Sequence, residues 1–200
     1  MNRDMYKLLK RTVFIGTTII FSACTDKPRT DIEELKAFEA QPAVLPLSEM
    51  VYWYNKKDTT VIQPSKDQLK FVVYSDSLQC SSCNLRQLPK WENFLGKLQP
   101  YADRLQVYFI FRPLSESIGS FRLTLKSMML PYPIYMDTTG VFRRTNPQLP
   151  SNSMLHTFLL DENNEVLVVG NPLENEKIDR MFWRTVKEKL GTGQKEKAND

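Results

Sequence analysis

Three cysteines occur in this chain of 200 residues, and two of them stand three apart as Cys80-Ser-Ser-Cys83. Two thiols at that spacing can close a small disulfide ring. When such a pair cycles, the thiolate attacks rather than the thiol, and free cysteine ionises only near pH ~8.5. Three chemistries suit the pair: dithiol–disulfide exchange, a passive structural disulfide, or half of a metal site. A tetrahedral metal site needs four ligands, and the sequence offers no second pair at metal-binding spacing. His156 is the single histidine, so no Ser-His-Asp set can be assembled. Asp76 and Glu116 have no evident carboxylate partner for acid–base hydrolysis. No cofactor and no metal are expected.

The elements around the pair decide how it is presented. Leu69-Lys-Phe-Val-Val-Tyr74 reads as a buried strand. A helix is expected from about Ser82 to Leu98, with Leu85, Leu88, Trp91, Leu95 and Leu98 on one face. Cys80 then stands at the mouth of that helix, where free backbone N–H groups and the positive end of the helix dipole favour its anion. Cys83 lies one turn on. Cys80 is therefore read as the attacking sulfur and Cys83 as the resolving one.

Further along, Leu105–Phe111 reads as a second strand, Ser117 to Met129 as a helix, and Pro131–Met136 as a short strand. Thr157–Leu160 and Val166–Val169 flank Asp161-Glu-Asn-Asn-Glu165, a hairpin signal. Asn171-Pro-Leu-Glu174 reads as the start of a last helix with Ile178, Phe182, Val186 and Leu190 inward, ended by Gly191. Trp53, Trp91 and Trp183 are read as core. Arg112, Arg143 and Arg144 are candidate contacts for an anion, and Asp137 is read as a turn residue. Upstream, Thr30-Asp-Ile-Glu33 has capping-box spacing, with Ile32, Leu35 and Phe38 on one face of a short helix. Residues 25 to about 47 are read as a tether, and Ser48–Ile62 as two short strands and a turn.

The net charge of +4 misleads, because Arg3, Lys7, Lys10 and Arg11 against Asp4 put +3 into the first eleven residues and leave +1 for the rest. A near-neutral body argues against a phosphate-binding surface, so nucleic acid is not an expected partner. With 42% hydrophobic and 25% charged residues, the composition excludes both a disordered chain and a multi-pass membrane protein. The basic start leads into an apolar run from Thr12 to Ala23, too short for a spanning helix of about 20 apolar residues. It ends in Phe21-Ser22-Ala23-Cys24, which resembles the lipobox of bacterial lipoproteins with Phe21 where Leu is commonest. That resemblance implies acylation of Cys24, removal of residues 1–23, and a lipid anchor in the cell envelope, on a periplasmic or outer-membrane surface.

Residues 64–190 resemble the membrane-anchored, thioredoxin-like thiol–disulfide oxidoreductases of the bacterial envelope. The residues that carry the likeness are Cys80-Ser-Ser-Cys83 with its Pro89-bearing helix, Thr157-Phe-Leu-Leu-Asp161 with its polar hairpin, and Val169-Gly-Asn-Pro172. The likeness implies an α/β, thioredoxin-like fold: a central mixed β-sheet with helices on both faces. It also implies exchange with protein or small-molecule thiols and disulfides of the envelope. Residues 24–63 are then an N-terminal extension and 191–200 a disordered tail; the sequence sets no oligomeric state. There are departures. Gln79 stands where the family has an aromatic residue, and Pro89 falls six rather than five residues after the second cysteine. The family's cis-proline, which shapes the substrate groove, is replaced here by Leu155 or His156. These two are the expected substrate-binding positions, and His156 is a candidate for tuning the Cys80 thiolate. The rival reading is a non-catalytic thioredoxin-like binding module with a structural disulfide.

Overall fold

The computed structural model describes residues 30–54, 57–59, 68–76, 85, 87–128, 130 and 132–191. Cys24, Cys80 and Cys83, with Gln79 and Pro64, lie outside the described residues. Among the described residues no helix is long and apolar enough to cross a membrane.

Among the described residues seven strands form one sheet: β1 (Val51–Tyr54), β2 (Lys57–Thr59), β3 (Leu69–Ser75), β4 (Leu105–Phe111), β5 (Ile134–Met136), β6 (Thr157–Leu160) and β7 (Val166–Val169). Their order is β2-β1-β5-β4-β3-β6-β7. β3, β4 and β5 run parallel, whereas β1 and β6 enter antiparallel against β5 and β3. β3 is buried nearly throughout because it lies inside the sheet with both faces covered.

Alternation along β3 sorts two cores. Phe71, with Phe109 and Phe111 of β4, faces Leu88, Trp91, Phe94, Phe121 and Phe182. Val72 and Tyr74, with Tyr108 and Ile110, face Phe38, Phe142 and Phe158 on the other side. The first face is covered by α2 (Glu92–Leu98), α3 (Ile118–Ser127) and α5 (Glu176–Leu190), the second by α1 (Asp31–Glu39) and α4 (Val141–Thr145). Phe71 meets the rings of Trp91 at 5.6 Å, Phe94 at 5.5 Å and Phe182 at 4.9 Å, so one strand residue ties two helices to the sheet.

Several expectations need correction. The helix expected from Ser82 to Leu98 is not continuous: Leu88–Trp91 is a 3-10 turn and α2 starts at Glu92. Pro89 has no N–H to donate, and the tighter turn accommodates it. The last helix starts not at Asn171 but at Glu176. Asn175 caps it, accepting from the N–H groups of Lys177 at 2.9 Å and Ile178 at 3.3 Å. Asn171 instead closes a local turn by accepting from Leu173 N–H at 2.9 Å.

The stretch read as a tether is not one from residue 30 onward. Thr30 and Glu33 form the capping box, but Phe38 is fully buried edge-on against Phe158 at 5.0 Å, while Ile32 is 66% exposed. Ala43 and Leu47 are buried as well. The buried Asn146 side chain pairs with Val44 as a strand would, accepting from its N–H at 2.7 Å and donating to its carbonyl at 2.9 Å. The hairpin after β6 agrees with expectation. Asp161 Oδ1 accepts from Asn163 and Glu165 N–H, both at 2.8 Å, and Asn164 takes φ +66°. Buried Lys70 donates to the carbonyls of Asp161 and Glu162, pinning that hairpin to β3. Burial holds the Lys70 pKa below its ordinary range.

Candidate functional site

The carboxyl ends of the parallel strands meet at one rim, where open α/β sheets bind ligands. β3 ends in Ser75-Asp76, and Ser75 O accepts from Arg112 N–H at 2.9 Å just beyond β4. Phe111 O accepts from Asp137 N–H at 2.8 Å just beyond β5. A cleft of about 230 Å³ opens at this rim; Val73, Ser75 and Thr157 from the strands, Leu88, Trp91 and Phe111 form its inner wall. Ser153, Met154, Asn171 and Glu174 also line it, Met154 and Glu174 as exposed residues. Ser75 and Thr157 are the polar residues of the inner wall, both mostly buried.

The chain leaves the rim at Asp76 and is next described at Leu85, which is helical and fully buried in the first core. The two cysteines belong by sequence to the intervening stretch, outside the described residues.

Asp76 is only 5% exposed and accepts from Arg112 Nη1 at 3.2 Å. Arg112 reaches it across Gly140, where a Cβ would meet the guanidinium at 2.9 Å. Gly140 also takes φ +70°, so two constraints favour glycine there. Asp137, read from sequence as a turn residue, is fully buried. Its carboxylate accepts from the N–H groups of Thr139, Val141 and Phe142 at 2.9 to 3.3 Å, which fixes the start of α4. The other candidate anion contacts serve the loops: Arg143 donates to the carbonyls of Leu149 and Pro150, and Arg144 to that of Thr139.

Leu155 and His156 sit where β6 begins. Leu155 is half-buried and packs against the second core. His156 is 2% exposed, its ring 5.4 Å from that of Tyr74. Its backbone accepts from Tyr74 N–H at 2.9 Å and donates to Ser153 O at 3.1 Å. Nε2 lies 2.8 Å from Pro150 O, which makes it the protonated nitrogen, because a carbonyl only accepts. Nδ1 is buried with no hydrogen-bond partner among the described residues. Burial lowers the His156 pKa below its ordinary 6.5; the Pro150 contact opposes that shift, Arg143 adds to it, and Asp76 opposes it. The ring is thus neutral and packed on the Tyr74 face, whereas its neighbour Thr157 lines the cleft on the opposite face. Burial, with smaller contributions from Asp76 and Asp137, pushes the Tyr74 phenol well above its ordinary range.

Sequence reasoning missed Thr157 and Ser75 as cleft walls, the Asp76–Arg112 pair, and Gly140 beneath it. A charged residue directly after a strand buried on both faces was the one available signal, at Asp76. A second hollow, of about 360 Å³, lies between α2 and β4. Its walls are largely aliphatic, with no cysteine, serine, threonine, lysine or histidine among the described residues that line it, and it is not the candidate site.

No family model and no curated protein matches the sequence. Similar solved structures include StoA from Bacillus subtilis, 19% identical over 66% of this chain and 96% of that one, with a TM-score of 0.41. A thioredoxin-like protein from Porphyromonas gingivalis is 15% identical over 80% of this chain and 99% of that one, with a TM-score of 0.47. A Chlorobium tepidum protein assigned as the thiol:disulfide interchange protein DsbE is 20% identical over 60% of this chain and 82% of that one, with a TM-score of 0.42. The strand order carries the conclusion: β3 and β4 parallel, β6 and β7 antiparallel beside β3, and helices on both faces make this an α/β, thioredoxin-like fold.

Proposed function

We propose that this chain is a thiol–disulfide oxidoreductase of the bacterial envelope, with Cys80 attacking and Cys83 resolving. One observation carries the reading. Strand β3 ends at Ser75 on the wall of the cleft, Leu85 is again helical and buried, and Cys80-Ser-Ser-Cys83 lies in the sequence that joins them. In the reducing direction, the Cys80 thiolate attacks one sulfur of a substrate disulfide. That bond breaks, and the other substrate sulfur leaves as a thiolate. Cys83 gives its proton to water and attacks the Cys80 sulfur; the Cys80–Cys83 bond forms and the second substrate thiolate departs. Two electrons pass to the substrate, and the reverse sequence oxidises a substrate dithiol. Thr157 offers a hydroxyl to a substrate backbone in the cleft, and Trp91 and Leu88 offer an apolar wall.

Residues 1–23 are assigned to an export signal, Cys24 to lipid attachment, 24–63 to an N-terminal extension, 64–190 to the catalytic unit and 191–200 to a disordered tail. The envelope location and the protein thiol partners follow from that assignment.

A second reading, a binding module with a structural disulfide, is favoured by the absence of a proline at Leu155 or His156, either of which stands for the family's groove proline, and by the burial of His156. Trapping with Cys83→Ser separates the two. Exchange predicts mixed disulfides through Cys80, abolished in Cys80→Ser. Absence of adducts, together with a wild-type disulfide resistant to dithiothreitol, would establish the binding module instead.

A further inference from the structure

A hollow of about 350 Å³ lies between the end of α2 and α5, and it shares no residue with the cleft. Lys97, Pro100 and Tyr101 line one side; Asp179, Trp183 and Lys187 line the other. The last three stand four apart, so successive turns of α5 bring them onto one helical face. Lys97 is in the last turn of α2, and Pro100 and Tyr101 belong to the 3-10 turn that follows it.

The Trp183 ring is half-buried, packed against Phe94 at 5.4 Å and Phe182 at 5.3 Å. Its N–H donates to Asp179 Oδ1 at 2.9 Å, so what it offers the hollow is apolar ring. Tyr101 is only 5% exposed, yet its hydroxyl has no hydrogen-bond partner among the described residues. That oxygen is not sealed from solvent, so it opens at the hollow the residue lines. Lys97 and Lys187 are exposed, and neither has an ion-pair partner among the described residues. The ion pairs of α5, Glu176–Arg180 and Arg184–Glu188, leave Lys187 out.

Two unpaired ammonium groups and a free hydroxyl beside an apolar ring suit an anion carried on a ring of its own. Asp179 narrows the class. One of its oxygens holds the indole, and the other is a spare acceptor that an aromatic acid cannot satisfy and a sugar hydroxyl can. The volume falls at the small end of the range for ligand sites, roughly 300–1,000 Å³. We infer that this hollow binds an acidic saccharide. The carboxylate lies between Lys97 and Lys187 and accepts from the Tyr101 hydroxyl. The apolar face of the sugar rests on Trp183 and Pro100, and one of its hydroxyls donates to Asp179. The site is independent of the exchange chemistry.

Glucuronate is the probe, titrated into the full-length chain while the Trp183 indole N–H resonance, assigned by its loss in Trp183→Phe, is followed by NMR. A saturable shift is expected. Glucose lacks the carboxylate, acetate the ring and benzoate the hydroxyls, and each is expected to bind about ten-fold more weakly or worse. Lys97→Gln combined with Lys187→Gln should weaken glucuronate by about ten-fold or more, and Tyr101→Phe by about three-fold. Both lysines are exposed, so the urea midpoint of that double variant should match the parent's. No shift with glucuronate, or binding untouched by the double variant, would overturn the site. Acetate or benzoate binding as tightly as glucuronate would overturn its assignment to a saccharide, and glucose doing so would overturn the role of the lysines.

Discussion

At the scale of residues, burial decides what His156 can do. A neutral ring whose Nε2–H is committed to Pro150 O brings no positive charge to a thiolate, so its effect belongs to stability. The folded state holds the imidazole neutral, whereas the unfolded chain titrates near 6.5. Below that pH the unfolded state binds more protons, so stability falls as pH drops through 6.5 toward the depressed folded value, and is level above it. Urea midpoints measured from pH 5 to 8 should show this slope, and His156→Gln should flatten it. Asp76 and Arg112 make the second residue-scale case. Arg112→Met removes a charged partner from a buried carboxylate and should cost about 2 kcal/mol. Adding Asp76→Asn should restore part of that, as read in a double-mutant cycle.

At the scale of elements, glycine positions carry the sharpest expectations. Gly170 has φ +119°, and a Cβ there would lie 3.1 Å from the Ile178 side chain at the seam between β7 and α5. Gly140→Ala and Gly170→Ala should each destabilise by about 1–2 kcal/mol. Gly140→Ala should in addition weaken the Asp76–Arg112 pair, visible as non-additivity with Arg112→Met. The elements also account for where sequence reading failed. A capping box and a hydrophobic period made α1 legible, but not that Phe38 would be buried while Ile32 stayed exposed. The start of α5 was misplaced because Asn171 and Asn175 both carry cap chemistry, and only packing of the helix against β7 selects the second.

At the scale of the whole molecule, residues 30–54 are part of the body. Phe38→Ala removes a fully buried ring from the second core and should cost about 3–5 kcal/mol in thermal or urea unfolding. A free tether would lose almost nothing. On the lipid anchor proposed above, replacing Cys24 by Ser should release the chain from the membrane fraction, and an unchanged unfolding midpoint would show that the loss is one of anchoring rather than of fold. Fractionation followed by urea titration checks both halves.

The sequence by itself determined the order of the strands and of α1, α2, α3 and α5, though not α4, together with the covered strand β3, the hairpin at 161–165 and the spacing of Cys80 and Cys83. Those depend on local pattern: side-chain period, turn chemistry and caps act over a few residues. Tertiary structure alone decided that residues 30–50 close the second core, that Arg112 crosses Gly140 to reach Asp76, and that Thr157 rather than His156 lines the cleft. Each of these joins residues distant in the chain or depends on which face a strand turns to its neighbours. Such outcomes are set by the packing of many surfaces at once.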